Sequence, residues 1–289
     1  MKPDKSSLAT ISQIILLALL GLSCSGTQSV LPGRASEGRM RLPNGWYITP
    51  AGTQIEVGDA PLNFDIDPSG NYAVVTNNGE GNQTVCIVDV RSGVVTQSLP
   101  VGKSWLGIRF YNDGKNFAVS GGNDNKVLLY SFASGTAALI DSIVVGKPWP
   151  DEGIWLGGID IDDATHRLYV TGKYDSTFYC YDLPTKELRK KVKLPGMPYT
   201  CLLSQKHPQI YVTLWGSASV LVLDLTLETT LASIAVGPHP NDMVESPDGA
   251  RLFVANANEN AVSVIDLASQ KVTETVVSSL APDALPGST

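Results

Sequence analysis

Histidine and cysteine, on which many catalytic and metal sites depend, are scarce in this sequence. Among 289 residues there are three histidines and four cysteines. The histidines are scattered with no metal-ligand spacing, and no C-x-x-C-H sequence for haem attachment occurs. The sequence also lacks a G-x-S-x-G nucleophile elbow, a P-loop and a Rossmann fingerprint. No catalytic residue is therefore assigned from a motif.

The cysteines give no sign of a disulfide framework. Cys24 lies close to the N-terminus, and the other three form an odd set at unrelated spacings. Cys86, Cys180 and Cys201 each sit in an apolar, strand-like run. We therefore predict that each of these three is a small buried hydrophobic residue.

Positive charge is also limited. The chain has 21 Lys and Arg against 28 Asp and Glu, a formal net charge of -7. An acidic chain lacks the basic surface that binds the phosphate backbone, so no nucleic-acid partner is expected. Hydrophobic residues make up 43% and charged residues 17%, which is typical of a globular protein and excludes wholesale disorder.

The N-terminus contains an apolar run that is too short to span a bilayer. Ile14–Leu22 has nine residues, whereas a membrane-spanning helix needs about 20. Lys2 and Lys5 precede it, so residues 1–23 are interpreted as a secretory signal. Leu22-Ser23-Cys24 resembles a bacterial lipoprotein cleavage box, although Gly21 stands where a Leu is usual. An incidental cysteine after an ordinary signal peptide is the alternative.

These features predict where the mature protein resides. A lipid on Cys24 would attach it to a membrane of the bacterial cell envelope, as a periplasmic or outer-membrane-anchored lipoprotein. Residues 24–45 are rich in Ser, Gly and Pro and are predicted to be a flexible tether.

Beyond Trp46 the chain repeats itself, and no window shows a sustained helical period. Gly58 to Gly70, Gly102 to Gly114 and Gly237 to Gly249 each span 12 residues. Repeats start near the glycines at positions 58, 102, 146, 196 and 237. Each unit contains four short strands rich in Val, Ile, Leu and Tyr, separated by turns. Four strands in about 40–45 residues are typical of a β-propeller blade, so we predict an all-β propeller with at most short helical turns.

One acidic residue recurs near the end of the third strand of its blade. The four examples are Asp89, Asp182, Asp224 and Asp266. Because the position repeats from blade to blade, we predict that these carboxylates form hydrogen bonds within turns.

The predicted blades do not close into a ring. Residues 47–57 end like the outer strands of later blades, but the fifth unit already has four strands of its own. Five blades would therefore be present of a predicted seven, in a partial propeller over residues 46–289. The free face of the fifth blade is expected to expose Phe253 and Val264, an apolar patch that monomers rarely leave open.

Several stretches resemble a known propeller family. LFVANANENAVSVIDL (252–267) and YAVVTNNGEGNQTVCIVDV (72–90) are similar to YVTN-type, or YncE-like, repeats. LPNGWYITPAG (42–52), GKPWP (146–150) and PNDM (240–243) resemble the seven-bladed propeller of bacterial two-part proteins. In those proteins an alkaline-phosphatase-family phosphoesterase domain follows the propeller. The resemblance covers residues 42–289 and implies a scaffold for an enzyme domain that is not in this sequence.

Propellers bind ligands where the first strands of all blades converge, at the mouth of the central channel. Aligning the repeats places Asn63 with Gly107, Gly158, Thr200 and Asp242, and it places Asp65 with Arg109 and Asp160. One interpretation is a solvated channel wall. The other is a carboxylate cluster that holds a polar ligand, Ca²⁺ or another divalent cation. No other cofactor is expected.

The loops before those strands carry aromatic side chains: Trp105, Trp149, Trp155, Tyr199 and His239. Such a rim could bind a sugar, a peptide or a partner domain. Alternatively, each ring packs between neighbouring blades. Trp215 follows a second strand and is predicted to be a core residue.

Two functions remain open. The first is a non-catalytic binding or scaffold module. The alternative is a lactonase-type propeller hydrolase that uses the channel-mouth carboxylates and a divalent cation.

Overall fold

A computed structural model describes residues 31–42, 44–49 and 51–278. The described residues form β-strands and three 3-10 turns of three residues each, Ser36–Gly38, Gly122–Asp124 and Trp215–Ser217. The all-β prediction is therefore confirmed. The predicted signal segment and Cys24 lie outside the described residues. No helix within the described part of the chain is long and apolar enough to cross a membrane.

The main body of the protein is a series of five four-stranded antiparallel sheets, here called blades 1 to 5. Each blade uses consecutive strands in simple up-and-down order. Blade 1 comprises β4 (Pro61–Ile66), β5 (Tyr72–Asn77), β6 (Thr84–Asp89) and β7 (Val94–Pro100), and blade 2 comprises β8 (Ile108–Tyr111), β9 (Asn116–Ser120), β10 (Lys126–Ala133) and β11 (Thr136–Val144). Blade 3 comprises β12 (Leu156–Asp162), β13 (Arg167–Gly172), β14 (Thr177–Asp182) and β15 (Leu188–Lys193). Blade 4 comprises β16 (Pro198–Leu203), β17 (Gln209–Leu214), β18 (Ser219–Asp224) and β19 (Thr230–Ala235), and blade 5 comprises β20 (Pro240–Glu245), β21 (Arg251–Asn256), β22 (Ala261–Asp266) and β23 (Lys271–Val277).

A sixth, three-stranded sheet forms in the N-terminal segment. It contains β1 (Gly33–Arg34), β2 (Met40–Arg41) and β3 (Tyr47–Ile48), paired antiparallel in that order. The chain divides into two units, residues 1–54 with this sheet and residues 55–289 with blades 1 to 5. Counted with this sheet the structure has six blades, so the predicted count of five is wrong. Strands of two residues have no measurable period, which is why the repeat pattern missed them.

The repeat spacing of the sequence comes from the turn between the first and second strands. In blade 1 the Asp67 carboxylate accepts hydrogen bonds from Ser69 N at 3.1 Å and from Tyr72 N at 2.7 Å. Gly70 and Gly249 close equivalent turns with φ of +72° and +71°, a region that disfavours residues with a Cβ. The Pro-Ser-Gly and Pro-Asp-Gly patterns therefore mark the same turn in two blades.

The recurrent aspartates act as predicted. Asp89, Asp182 and Asp266 each accept a hydrogen bond from the main-chain N–H three residues later, at 2.8, 2.9 and 2.8 Å. Asp224 accepts bonds from Glu228 N and Thr229 N. Hydrogen bonds to the ionised form lower the pKa of all four carboxyls. The third and fourth strands of these blades are thus joined by carboxylate-stabilised turns.

Each interface between neighbouring blades has its own apolar core. These cores contain, in order along the series, Val85 with Phe117, Val127 with Leu168, Phe178 with Ile210, and Val222 with Ile265. The three cysteines are buried and unpaired, at 1%, 3% and 6% exposure for Cys86, Cys180 and Cys201, as predicted. Side-by-side packing buries the apolar face that a single four-stranded sheet would expose.

The first strands of the blades line up in chain order. β4 contacts β8, β8 contacts β12, β12 contacts β16, and β16 contacts β20. In the part of the chain that is described, β4 and β20 make no contact of comparable extent. Within the series of blades 1 to 5, the outer faces of blades 1 and 5 therefore have no neighbour.

Apolar side chains are exposed on those two faces. In blade 1, Phe64 is 59% exposed on the face opposite Asp65, and in blade 5 Val244 is 61% exposed. Phe253 is partly exposed, as predicted, but the expectation for Val264 is wrong, because it is only 2% exposed. Val264 lies between its larger cross-strand neighbours Phe253 and Glu274 on the same face.

Candidate ligand-binding site

Polar side chains on the first strands link blades 1 to 4 to one another. Asp65 of β4 accepts a hydrogen bond through Oδ2 from Phe110 N of β8, at 2.7 Å. Asp160 of β12 accepts one in the same way from Leu203 N of β16, also at 2.7 Å. Both aspartates use Oδ1 to accept from the next N–H of their own strand. These carboxylates therefore hold neighbouring strands in register.

Arg109 occupies the equivalent position in blade 2. Its Nε lies 2.9 Å from Asp160 Oδ1 in blade 3, and Asp65 in blade 1 also acts on its charge. Asp160 is only 2% exposed, and burial raises the pKa of its carboxyl, while Arg109 and two main-chain N–H groups oppose the rise. The nearby carboxylate in turn raises the pKa of Arg109.

This arrangement corrects the solvated-wall interpretation at Asp160, whereas the divalent-cation interpretation of the channel mouth stays a prediction. The position is not solvated, because Asp160 is buried. Its carboxylate faces the cation Arg109, so acids of adjacent blades do not converge there without a counter-charge. Within the described residues, no group of three or more His, Cys, Asp or Glu side chains is placed to hold a metal ion.

The other predicted positions on the first strands each make their own hydrogen bonds. Asn63 Nδ2 donates to Leu106 O of the next blade at 2.7 Å. Asp242 accepts from Met243 N at 2.8 Å and lines a shallow cavity of about 200 Å³ on the free face of blade 5. Thr200 is buried, and its N–H donates to Thr213 Oγ1 at 3.0 Å. The hydrogen bonds of Asn63 and Thr200 stabilise the strands and the loops before them.

The aromatic residues of the loops do come together. Six rings form what we call the aromatic cluster: Trp105, Trp155, Tyr174, Tyr199, Trp215 and His239. In one half, the Trp105 and Trp155 centroids are 6.0 Å apart, and those of Trp155 and Tyr174 are 5.2 Å apart. In the other half, the Trp215 centroid is 4.7 Å from that of Tyr199 and 4.8 Å from that of His239. Four consecutive blades, 2 to 5, contribute rings to the cluster.

Lys173 lies between the two halves of the aromatic cluster. Its Nζ is 5.0 Å from the Tyr199 centroid, 5.5 Å from those of Tyr174 and Trp215, and 5.8 Å from that of Trp105. These distances are in the range of cation–π interactions. Burial lowers the pKa of the Lys173 ammonium. A partly desolvated cation therefore joins the rings of blades 2, 3 and 4.

A repeated main-chain bond fixes the cluster. The residue after the second strand donates its N–H to a carbonyl just before or at the start of the first strand: Lys173 N to Trp155 O at 2.9 Å and Ala257 N to His239 O at 3.1 Å. Trp155 and His239 have φ of +57° and +54°, where a non-glycine residue is uncommon. Asn125, fully buried, accepts from Trp155 N at 2.9 Å. Trp155 and His239 therefore adopt an uncommon backbone conformation, and hydrogen bonds to their main-chain atoms stabilise it.

Several polar atoms of the cluster have no hydrogen-bonding partner. Trp105 Nε1 and His239 Nδ1 are buried without one. Among the described residues, Lys173 Nζ has no carboxylate within ion-pairing distance. Buried polar groups in a purely structural core are nearly always hydrogen-bonded, so these two buried atoms, beside a partly exposed cation with no carboxylate partner, favour a site that an outside molecule completes.

The structure brings together four of the predicted rim residues, namely Trp105, Trp155, Tyr199 and His239. It does not bring Trp149 to them, since that side chain is 58% exposed and makes no ring contact with the aromatic cluster. The prediction that Trp215 belongs to the core is wrong, because Trp215 is only partly buried and stacks on Tyr199. Its position after a second strand places it at the same edge of the blades as the first-strand loops.

Sequence reasoning missed Lys173 and Tyr174. Both lie in the turn between the second and third strands of blade 3. Lys173 is equivalent to Trp215, because each donates its N–H across the blade to the loop before the first strand. Aligning the ends of the second strands would therefore have placed both residues beside the rim.

A separate cavity of about 690 Å³ lies between blades 2 and 3. Its lining includes Tyr111, Asp163 and His166 and the ion pair of Asp141 with Lys186. It shares no residue with the aromatic cluster. The Asp163 carboxylate accepts from Asn112 N at 2.9 Å, so that acid is already used to join the two blades.

Comparisons with known proteins bear on the fold. No family model matches the chain, and no curated protein matches it. Among solved structures, 1506 chains match, so this architecture is widespread and says little about function. One is titled the crystal structure of a functionally unknown protein from Desulfotomaculum acetoxidans DSM 771. It superposes with a TM-score of 0.62 at 17% identity, over 75% of this chain and 72% of that one. What the chain shares with known proteins is therefore the β-propeller fold alone.

Proposed function

We propose that this protein is a non-catalytic binding module and that the aromatic cluster with Lys173 is its ligand site. One observation carries the proposal: seven side chains from four consecutive blades converge at one edge, around polar atoms that lack partners. Ligand sites are mostly apolar and aromatic, with a few polar groups that orient the ligand. The cluster matches that description.

The wider setting proposed from the sequence is an exported protein anchored by a lipid on Cys24. Within it, the propeller would be of the seven-bladed YncE-like type and would act as a scaffold for a phosphoesterase domain. The exposed faces of blades 1 and 5, with Phe64 and Val244, support further blades as the missing neighbours. The cluster lies on blades 2 to 5 and does not require those neighbours.

Intrinsic fluorescence tests the binding site, because three of the five tryptophans belong to the cluster. The purified protein is titrated with a panel of saccharides, sugar acids, amino acids, nucleotides and short peptides. A ligand should change the emission of the parent and of Trp149→Ala, and Trp155→Ala should abolish the change. Trp149 is the matched control because it lies outside the cluster. Equal responses in both variants, or no response to any compound, would refute the site.

The lactonase-type alternative has less support. It requires free carboxylates at the channel mouth, whereas those of Asp65 and Asp160 already accept main-chain hydrogen bonds. Isothermal titration with Ca²⁺ and Mg²⁺ separates the two functions. The binding-module proposal expects no heat from that titration. Saturable binding of a divalent cation that is lost in Asp65→Ala would favour the hydrolase.

A further inference from the structure

Lys173 carries a charge that the described protein does not balance. Its ammonium has three N–H donors and lies over the faces of four aromatic rings. A ring face attracts a cation but offers no oxygen lone pair to an N–H donor. A carboxylate is the usual partner of a partly buried lysine, and Lys173 has none within 4 Å in the described part of the chain. The group is therefore equipped to receive an anion.

The position of Lys173 also excludes one kind of ligand. Rings arranged around a common point form the cage that proteins use for quaternary ammonium ligands. Here the Lys173 Nζ already occupies that point, between Trp105 and Tyr174 on one side and Tyr199 and Trp215 on the other. A cationic ligand would meet a like charge at short range, whereas an anionic one would meet an unpaired cation.

The rings set a second requirement, because a small inorganic anion would leave them unused. Trp155 is partly exposed and Tyr174 is 52% exposed, so both offer apolar surface at the edge of the cluster. A pyranose ring has an apolar C–H face that stacks on such rings and a rim of hydroxyls that needs polar partners. A hexuronate combines that face with a carboxylate.

Polar partners lie beside the rings. A cavity of about 140 Å³ shares Trp105 and Trp155 with the cluster and is also lined by Asn78, Gln83 and Asn123. Asn78 Nδ2 donates to Ser104 O, and Gln83 Oε1 accepts from Ser104 N. The other end of each of these amides and the amide of Asn123 suit sugar hydroxyls, which both donate and accept hydrogen bonds. Lys103, which is exposed at the same cavity, adds a second cation. The cavity could hold a second sugar unit next to the one on the rings.

We infer that the ligand of the aromatic cluster is an acidic saccharide built from hexuronate units, whose carboxylate binds Lys173 Nζ while its ring stacks on the exposed aromatic rings. The inference rests on the proposed function and adds the class of ligand. It requires that the protein bind acidic saccharides more tightly than neutral ones of the same size, and that the charge of Lys173 cause this difference in affinity.

The test is calorimetric titration of the full chain with trigalacturonate, with neutral galactotriose and with inorganic phosphate. Trigalacturonate should bind more tightly than the other two. Lys173→Met keeps the length of the side chain and removes its charge, so it should weaken trigalacturonate binding by about tenfold or more. Lys173→Arg should retain most of the affinity. Lys115→Met, an exposed lysine outside the cluster, is the matched control and should bind like the parent.

Equal affinities for trigalacturonate and galactotriose would overturn the inference and leave the proposed function standing, because the cluster would then bind sugar without reading charge. Phosphate binding as tight as trigalacturonate binding would also overturn it. So would unchanged binding in a Lys173→Met protein whose melting temperature matches the parent. If no saccharide binds, the inference fails, and the fluorescence panel with Trp155→Ala decides separately on the proposed function.

Discussion

The carboxylate of Asp160 is predicted to be a major source of stability for the blade series. It is 2% exposed, lies 2.9 Å from Arg109 Nε, and accepts main-chain bonds from Ile161 N at 2.8 Å and Leu203 N at 2.7 Å. Asp160→Ala removes the buried partner of an ion pair whose other side chain, Arg109, is 34% exposed. Because water can hydrate Arg109 after the substitution, the expected loss is about 2–3 kcal/mol, below the value for a fully buried pair. The two N–H groups left without acceptors are part of that penalty, since an unsatisfied buried donor costs about 1–3 kcal/mol.

Asp65→Ala provides an internal comparison. Asp65 makes the same two kinds of main-chain bond, to Ile66 N and Phe110 N, but it is only partly buried. Water can replace the lost acceptor there, so the loss should be about 1–2 kcal/mol. Asp151→Ala removes an exposed carboxylate and should stay within about 0.5 kcal/mol of the parent. The expected order of destabilisation is therefore Asp160, Asp65, Asp151.

Urea denaturation followed by far-UV circular dichroism measures these differences. The proteins to be measured are the parent, the three variants above, Arg109→Ala and the Arg109→Ala/Asp160→Ala double variant. The ion pair predicts that the double variant loses less free energy of unfolding than the sum of the two single losses, by about 0.5–3 kcal/mol. Additive losses, or an Asp160→Ala protein no less stable than Asp65→Ala, would refute the reasoning.

Three further predictions concern other parts of the molecule. A hydrogen bond from Arg189 and further hydrogen bonds within its turn lower the pKa of Asp182 to about 2, so its contribution to stability should be complete above about pH 4 and lost as the pH falls towards 2. Melting temperatures from pH 5 to 2 should therefore fall less in Asp182→Asn than in the parent, and parallel curves would contradict this. Globomycin should make the precursor accumulate if Cys24 is lipidated, and unchanged processing would show that the cysteine is incidental. The exposed apolar faces predict self-association that Phe64→Lys and Val244→Lys reduce in light scattering, and a monomeric parent would contradict that expectation.

The fold was predictable because its signals are local and repeat. Turns such as Asp67–Gly70 return at a fixed spacing, and short runs of branched and aromatic residues between them favour strands. The repeat pattern could not show the N-terminal sheet, because strands as short as Tyr47–Ile48 carry no alternation. It also could not show that Val264 is buried, since that depends on the size of its cross-strand neighbours.

The site was predictable only in part. Trp155 and His239 occupy equivalent loops, so aligning the repeats was enough to bring them to one edge. The same alignment of the repeats indicated that Asp65 and Asp160 share a position. Sequence patterns could not reveal that both carboxylates bind the next blade. Their partners are main-chain N–H groups, which nearly every residue has, so no residue type marks the partner. Lys173 was missed because a lysine in a turn between two strands is usually solvated. Its contacts with aromatic rings of blades 2 and 4 depend on the packing of the blades and leave no pattern in the sequence.

The aromatic cluster also bears on how the blades hold together over time. Arrays of repeats tend to open from their ends, since a terminal repeat has one neighbour instead of two. The cluster takes side chains from blades 2 to 5, so it exists only while three successive interfaces are closed. A bound ligand would therefore stabilise all three of these blade interfaces against opening. Its effect should be seen in slower amide hydrogen exchange throughout blades 3 to 5, well beyond the residues it contacts.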